Sequence, residues 1–129
     1  MLMAIDPGRE KCGIVVMSKT SEINFQQVIE TSKLKSIVQT LIDKFNITTI
    51  ILGNGTTSES AKKILETANV SIKVVDEKHT TEEARKLYWY KNPPKGWRRL
   101  LPTSMQVPPV PVDDLVAEIL ARRFINQMQ

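Results

Sequence analysis

Residues 1–17, MLMAIDPGREKCGIVVM, contain the signals that decide the fold. The apolar run Met1–Ile5 stops at Asp6-Pro7-Gly8, which predicts a strand followed by a turn. The β-branched run Gly13–Met17 predicts a second strand, and a third apolar run follows at Ile23–Ile29. Because the connections are short, we expect these three strands to form an antiparallel meander.

After the third strand, helical and strand patterns alternate. Thr31 or Ser32 is predicted to cap a helix that runs to about Asn46, and a strand Thr48–Leu52 and a helix Ser58–Ala68 follow. The remaining predicted elements are a strand Ser71–Val75, a helix opening at Thr80 or Thr81 and a last helix from about Asp113. Glu83 is placed to form a capping box with Thr80. Strands separated by helices pair in parallel through right-handed crossovers. The order βββαβαβα, then a C-terminal α, therefore predicts an α/β fold: a mixed five-stranded sheet with helices on both faces.

Length and composition predict a single domain over residues 1–129. One cysteine, Cys12, excludes an internal disulfide framework and suits a reducing cytosol. No apolar run approaches the length of a membrane span, so we expect a cytoplasmic protein that does not bind membranes. Residues 92–111 contain six of the seven prolines and are predicted to form a long loop.

The basic charge is concentrated in one stretch. Between Lys78 and Arg99 lie seven Lys or Arg residues against two acids, together with Tyr88, Trp89, Tyr90 and Trp97. Cations bind the phosphate backbone and aromatic rings stack on unpaired bases, so this composition favours nucleic-acid binding. The alternative is a solvated basic face with a few core aromatics.

Carboxylates recur where the predicted elements end or begin. Asp6 ends the first strand, Glu77 follows the fifth, and Asp113 and Asp114 open the last helix. Such acids can converge on a divalent metal, which prefers hard oxygen ligands and can promote phosphodiester hydrolysis. Each acid alone also has a structural explanation, as a turn residue or as a helix cap.

Four motifs in order resemble the YqgF/RuvC-type RNase H-like family. They are AIDPGREKCGIVV at residues 4–16, ILGNGTTS at 51–58, VVDEKHTTEEAR at 74–85 and PVPVDDLVAEILARRFI at 109–125. The first resembles the family's Asp-x-Gly strand end, and the last resembles its final motif, an Asp at a helix start followed by small apolar residues. The set covers nearly the whole chain.

The resemblance implies an RNase H-like fold, dependence on Mg²⁺ or Mn²⁺, and cleavage of a DNA junction or of ribosomal RNA precursor. It implies metal-binding and catalytic roles for Asp6, Glu77 and either Asp113 or Asp114, with Asp113 slightly favoured because it stands at the very start of the helix. The predicted nucleic-acid-binding residues are Arg9, Lys11, Lys78, Arg85, Lys95, Trp97, Arg98 and Arg99. For Arg9 and Lys11 the alternative is an exposed turn charge, and for Trp97 it is an anchor for the proline-rich loop.

Two positions depart from the family pattern. Gly53-Asn54-Gly55 stands where RuvC resolvases have an acid, which is the YqgF pattern, and Lys78 replaces an arginine. Gly8 and Gly13 are expected to permit a tight turn and a close backbone approach.

The leading hypothesis is a metal-dependent endonuclease, which would need a homodimer to cut two strands symmetrically. The alternatives are a nucleic-acid-binding module without activity and, less favoured, an actin-like nucleotide-binding protein.

Overall fold

The computed structural model describes residues 1–55, 58–76, 78–93, 108 and 111–128. The strands are β1 (Leu2–Asp6), β2 (Lys11–Met17), β3 (Ile23–Glu30), β4 (Thr49–Gly53) and β5 (Ser71–Val75). The α-helices are α1 (Leu34–Phe45), α2 (Ser58–Leu65), α3 (Thr80–Lys91) and α4 (Asp113–Met128), and 3₁₀ turns lie at Thr31–Lys33 and Glu66–Ala68.

The five strands form one mixed sheet in the order β3-β2-β1-β4-β5. β1 pairs antiparallel with β2, and β2 with β3, which confirms the predicted meander. β1 pairs in parallel with β4, and β4 with β5, as crossover connections through α1 and α2 require. The predicted α/β class and sheet are therefore confirmed.

Side chains alternate between the two faces of each strand, and both faces are buried. Ala4, Val15 and Ile51 lie on one face in a core that includes the inner surface of α4. Met3 and Ile14 lie on the other face, in a core that includes α1 and α2. Two separate hydrophobic cores thus fix the sheet between two helical layers.

The parallel strands determine where the acids lie. β1, β4 and β5 run in the same direction, so their carboxyl ends, at Asp6, Gly53 and Val75, share one edge of the sheet. Helix α4 packs across β1 and β2 and begins at Asp113. The sheet edge and the start of the last helix are therefore brought together.

Two predicted helix caps are wrong. The N-cap of α1 is Lys33, and the hydroxyl of Thr31 instead donates to the Gly8 carbonyl at 2.9 Å, which ties the β1–β2 turn to the 3₁₀ turn. Thr80 is the first residue of α3, whose N-cap is His79, so the capping box does not form. The Glu83 carboxylate pairs with Arg123 of α4 at 2.9 Å, and this long-range ion pair replaces the local cap.

Within the described ranges, none of the helices is long and apolar enough to cross a membrane.

Candidate metal centre

The start of α4 lies directly on the β1–β2 hairpin. Asp6 at the end of β1 pairs with Gly13 of β2. A Cβ atom at Gly13 would overlap the carbonyl of Asp113 and lie 2.5 Å from the amide nitrogen of Asp114. Only glycine allows the backbone of the helix start to approach the strand this closely. The expected role of Gly13 in a close backbone approach is confirmed.

This approach brings two of the predicted metal ligands into contact. The side chains of Asp6 and Asp113 lie within hydrogen-bonding reach of each other. Burial raises the pKa of Asp113, while the hydrogen bond with Asp6 and the nearby positive charge of Lys11 act in the opposite direction. A carboxyl pair of this kind is the local arrangement that a cation would neutralise.

Asp114 has a different environment. Its carboxylate accepts a hydrogen bond from the Leu115 amide at 3.0 Å. Burial raises the pKa of Asp114, the adjacent charge of Asp113 adds to this effect, and the ammonium of Lys91 at the end of α3 opposes it. Of the two adjacent acids, it is Asp113 whose side chain contacts Asp6.

The Asp6–Asp113 pair fits a hard divalent cation. Both groups supply carboxylate oxygens, and Mg²⁺ is commonly held by one or two carboxylates together with waters and substrate phosphates. Among the residues that the structure describes, no group of three or more His, Cys, Asp and Glu side chains is placed to hold a metal. Glu77, the other predicted ligand, lies outside the described residues.

The predicted nucleic-acid-binding residues divide into two groups. Arg9 and Lys11 follow the candidate centre along the β1–β2 turn, and both are exposed. Arg9 lines a cavity of about 360 Å³ beside this turn. Lys78, just before α3, and Arg85, in the middle of α3, are both exposed. The remaining predicted residues, Lys95, Trp97, Arg98 and Arg99, lie outside the described residues.

The aromatic residues of α3 do not act as one surface. Trp89 is buried, and its ring meets that of Tyr88 edge to face at a centroid distance of 5.0 Å. Tyr90 is 83% exposed. Of these three rings, therefore, Tyr90 is the one available to stack on a base.

Two residues of α4 have structural roles that the sequence did not predict. Glu118 is buried and bonded to Gln26 and Lys91. Arg123 donates to the carbonyl oxygens of Asp76 at 3.1 Å and Lys78 at 2.8 Å, on either side of position 77 in the chain. These contacts join residues far apart in the chain, so no local sequence pattern predicts them. The four-residue spacing from Glu118 to Arg122 is compatible only with an ion pair within the helix.

Comparison with solved structures shows the same fold in RuvC. The structure of Thermus thermophilus RuvC aligns with 98% of this chain and 95% of its own, with a TM-score of 0.57 and 14% identity. The T. thermophilus RuvC in complex with a Holliday junction substrate gives the same coverage and TM-score, with 13% identity. This likeness confirms the predicted RNase H-like fold. A search of curated proteins gave no significant match.

The family itself is shown by sequence. The model of the Tex protein YqgF-like domain matches residues 1–88, from β1 into α3, which is more than half of the chain. This match confirms the YqgF-type resemblance drawn from the sequence motifs. The chain belongs to the family of Tex protein YqgF-like domains.

Proposed function

We propose that this protein is a divalent-metal-dependent endonuclease that cuts structured nucleic acid, either a four-way DNA junction or ribosomal RNA precursor. The observation that carries the proposal is the contact between the Asp6 and Asp113 carboxyl groups at the carboxyl edge of the sheet. The RuvC fold supports it, because one of the matching structures contains RuvC with a Holliday junction substrate.

In this proposal Asp6 and Asp113 hold the cation, and Glu77 is a further ligand. A bound Mg²⁺ or Mn²⁺ would supply a Lewis acid that activates water and neutralises charge on the phosphate. The two carboxylates would hold the cation at the sheet edge, where Asp113 is half-buried. The role of this chain is thus to position hard oxygen ligands on rigid elements.

The basic residues near the centre have a separate role in the proposal. Lys11 places positive charge beside Asp113, and exposed Arg9 stands on the same turn. Lys78, just before α3, and Arg85, within it, add two exposed cations. These groups bind the phosphate backbone and steer the substrate toward the carboxylates. Symmetric cleavage of a junction further requires two copies of the chain.

The test is cleavage of labelled four-way DNA junctions and ribosomal RNA precursor, with Mg²⁺, with Mn²⁺ and with chelator. We expect metal-dependent cutting by the wild type and loss of cutting in Asp6→Asn and Asp113→Asn. Asp43→Asn is the matched control, because it is the same Asp-to-Asn substitution on the exposed surface of α1.

Two results would reject the proposal. One is cutting that persists in chelator or in Asp6→Asn, which would exclude metal-dependent cleavage at this site. The other is tight binding without cutting by both the wild type and Asp6→Asn, which would identify a nucleic-acid-binding module instead. Sedimentation of the protein with and without a junction tests the dimer.

A further inference from the structure

Glu118 is a buried acid that the proposed chemistry does not use. It lies in the second turn of α4 and is 2% exposed. Burying a carboxylate is unfavourable unless it is paired and hydrogen-bonded. Packing alone therefore does not explain why a glutamate stands at this buried position.

Three donors from three different elements surround the Glu118 carboxylate. Gln26 of β3 donates its side-chain amide at 2.9 Å, Lys91 at the end of α3 donates at 2.8 Å, and Arg122 donates at 3.1 Å. Burial opposes ionisation of Glu118, but these hydrogen bonds outweigh it and lower its pKa. The ionised carboxylate thus joins an edge strand, α3 and α4.

The Gln26 amide also reaches the helix start. The same Nε2 atom that donates to Glu118 lies 3.1 Å from the carbonyl oxygen of Asp114 and donates to it. Gln26 therefore ties the first turn of α4 to β3 through both a backbone atom and a side chain. Because Asp113 immediately precedes Asp114, these bonds restrict the rotation and sliding of the residue that contacts Asp6.

We propose that Glu118 and Gln26 form a positioning pair that fixes the start of α4 so that Asp113 meets Asp6. Gly13 sets how closely the helix approaches the sheet, and the Glu118–Gln26 pair sets its rotation and its position along the strands. An apolar side chain at position 118 would fill the space but would leave the Gln26 amide with one acceptor fewer. The inference rests on the proposed function, since it concerns the geometry of the same candidate centre.

The test compares five variants of the full chain, one of which combines Glu118→Leu with Gln26→Leu. Glu118→Leu removes the acceptor, and Gln26→Leu removes the donor from a partly exposed position, where misfolding is less of a risk. Glu118→Gln keeps an oxygen that can accept from Gln26. Val38→Ala is the control, because it removes buried side-chain volume from α1 on the opposite face of the sheet.

Three measurements are made on each variant: Mn²⁺ affinity by calorimetry, kcat and KM for cleavage, and hydrogen exchange of the amides of residues 115–117. We expect Glu118→Leu and Gln26→Leu each to weaken Mn²⁺ binding and lower kcat by about tenfold, the scale seen for outer-shell partners of metal ligands. KM stays within about twofold at saturating metal, and the double variant is no worse than either single one, because the residues act as one unit. Glu118→Gln retains most of the activity.

The positioning role is overturned if folded Glu118→Leu keeps wild-type Mn²⁺ affinity and kcat, or if Val38→Ala produces the same losses. If the wild type neither binds Mn²⁺ nor cuts, the nuclease proposal fails and the exchange measurement alone decides the inference. Faster exchange in the first turn of α4 in Glu118→Leu, but not in Val38→Ala, then supports it. Equal exchange in the two variants refutes it.

Discussion

Replacing Gly13 by alanine tests how the helix start is held over the sheet. The added Cβ would lie 2.5 Å from the Asp114 amide nitrogen and overlap the Asp113 carbonyl, whereas ordinary contact begins at 3.4 Å. Both obstacles are backbone atoms, so no side-chain rotation can relieve the overlap. The start of α4 must move by roughly an ångström or more, and this movement separates Asp113 from Asp6.

The size of the effect follows from the two consequences of that movement. Overpacking of this kind costs about 1–3 kcal/mol of folding free energy. For a chain of this length the melting temperature falls by roughly 3–5 °C per kcal/mol. A misplacement of about 1 Å at a reacting centre lowers the rate by about 100-fold. We therefore expect a modest loss of stability and a much larger loss of cleavage.

The assay is metal-dependent cleavage measured well below the melting temperature of the variant, together with a thermal melt. The control is Val16→Ala, on the same strand but facing the opposite core, where loss of the buried methyl groups costs about 2 kcal/mol. This control should melt at a similarly lowered temperature and cut at nearly the wild-type rate. Gly13→Ala with wild-type cleavage, or Val16→Ala with an equal loss of cleavage, would refute the reasoning.

Four further predictions concern the charged residues of α4. Asp113→Asn should lower single-turnover cleavage by about 100-fold or more and Asp114→Asn by less than about fivefold, since it is Asp113 that contacts Asp6. Because burial raises the pKa of Asp113, its charged form is disfavoured in the fold, and Asp113→Asn should raise the melting temperature in chelator. Mg²⁺ at tenfold its Kd should then stabilise the wild type by about 1.4 kcal/mol and leave the variant unchanged in a thermal melt. Burial opposes ionisation of Glu118, but the hydrogen bonds from Lys91, Gln26 and Arg122 outweigh it and lower the pKa of Glu118. The ionised carboxylate therefore contributes its full stability above pH 4.5, the ordinary pKa, and this contribution is lost as the pH falls through the lower pKa in the fold. Urea unfolding from pH 7 to 3 should show this decline, and Glu118→Gln should reduce it. Arg123→Ala should lower the free energy of unfolding in urea by about 1–2 kcal/mol, because the guanidinium donates three hydrogen bonds. Arg85→Ala, on the exposed side of α3, is the control and should change this free energy by less than about 0.5 kcal/mol.

The sheet could be predicted because its signals are local. Alternating apolar residues such as Met3 and Ala4 mark a strand with two buried faces, and the short breaks between runs allow only a meander. The position of Asp6 at a strand end followed from the same local pattern. Once the parallel strands were placed, their common carboxyl edge followed from topology.

The sequence favoured Asp113 over Asp114 only slightly. The two residues are neighbours at a helix start, and their side chains point in directions about 100° apart around the helix. Which of them faces Asp6 depends on the rotation of α4 over Gly13, and this rotation is a property of tertiary packing. The resemblance to the family left both registers open for the same reason.

The role of Glu118 was hidden for a related reason. Its partner Gln26 is 92 residues away in the chain, and no local rule connects a strand amide to a helix carboxylate. The failed capping box has the same origin, because Glu83 is taken by Arg123, 40 residues further along. Long-range polar contacts override local propensity where an element is held by its neighbours.

The placement of the carboxyl pair bears on the choice between a nuclease and a simple binding module. A surface that only binds nucleic acid gains from cations and loses from carboxylates, since like charges repel the phosphates. The Asp6 and Asp113 carboxyl groups place negative charge at the edge where Lys11 would attract the backbone. A divalent cation held by both carboxylates would cancel this charge, and its remaining coordination positions could take a phosphate oxygen. We therefore expect phosphate to bind this edge more tightly with Mg²⁺ than with chelator, and we expect Asp6→Asn or Asp113→Asn to weaken this dependence even before any bond is cut.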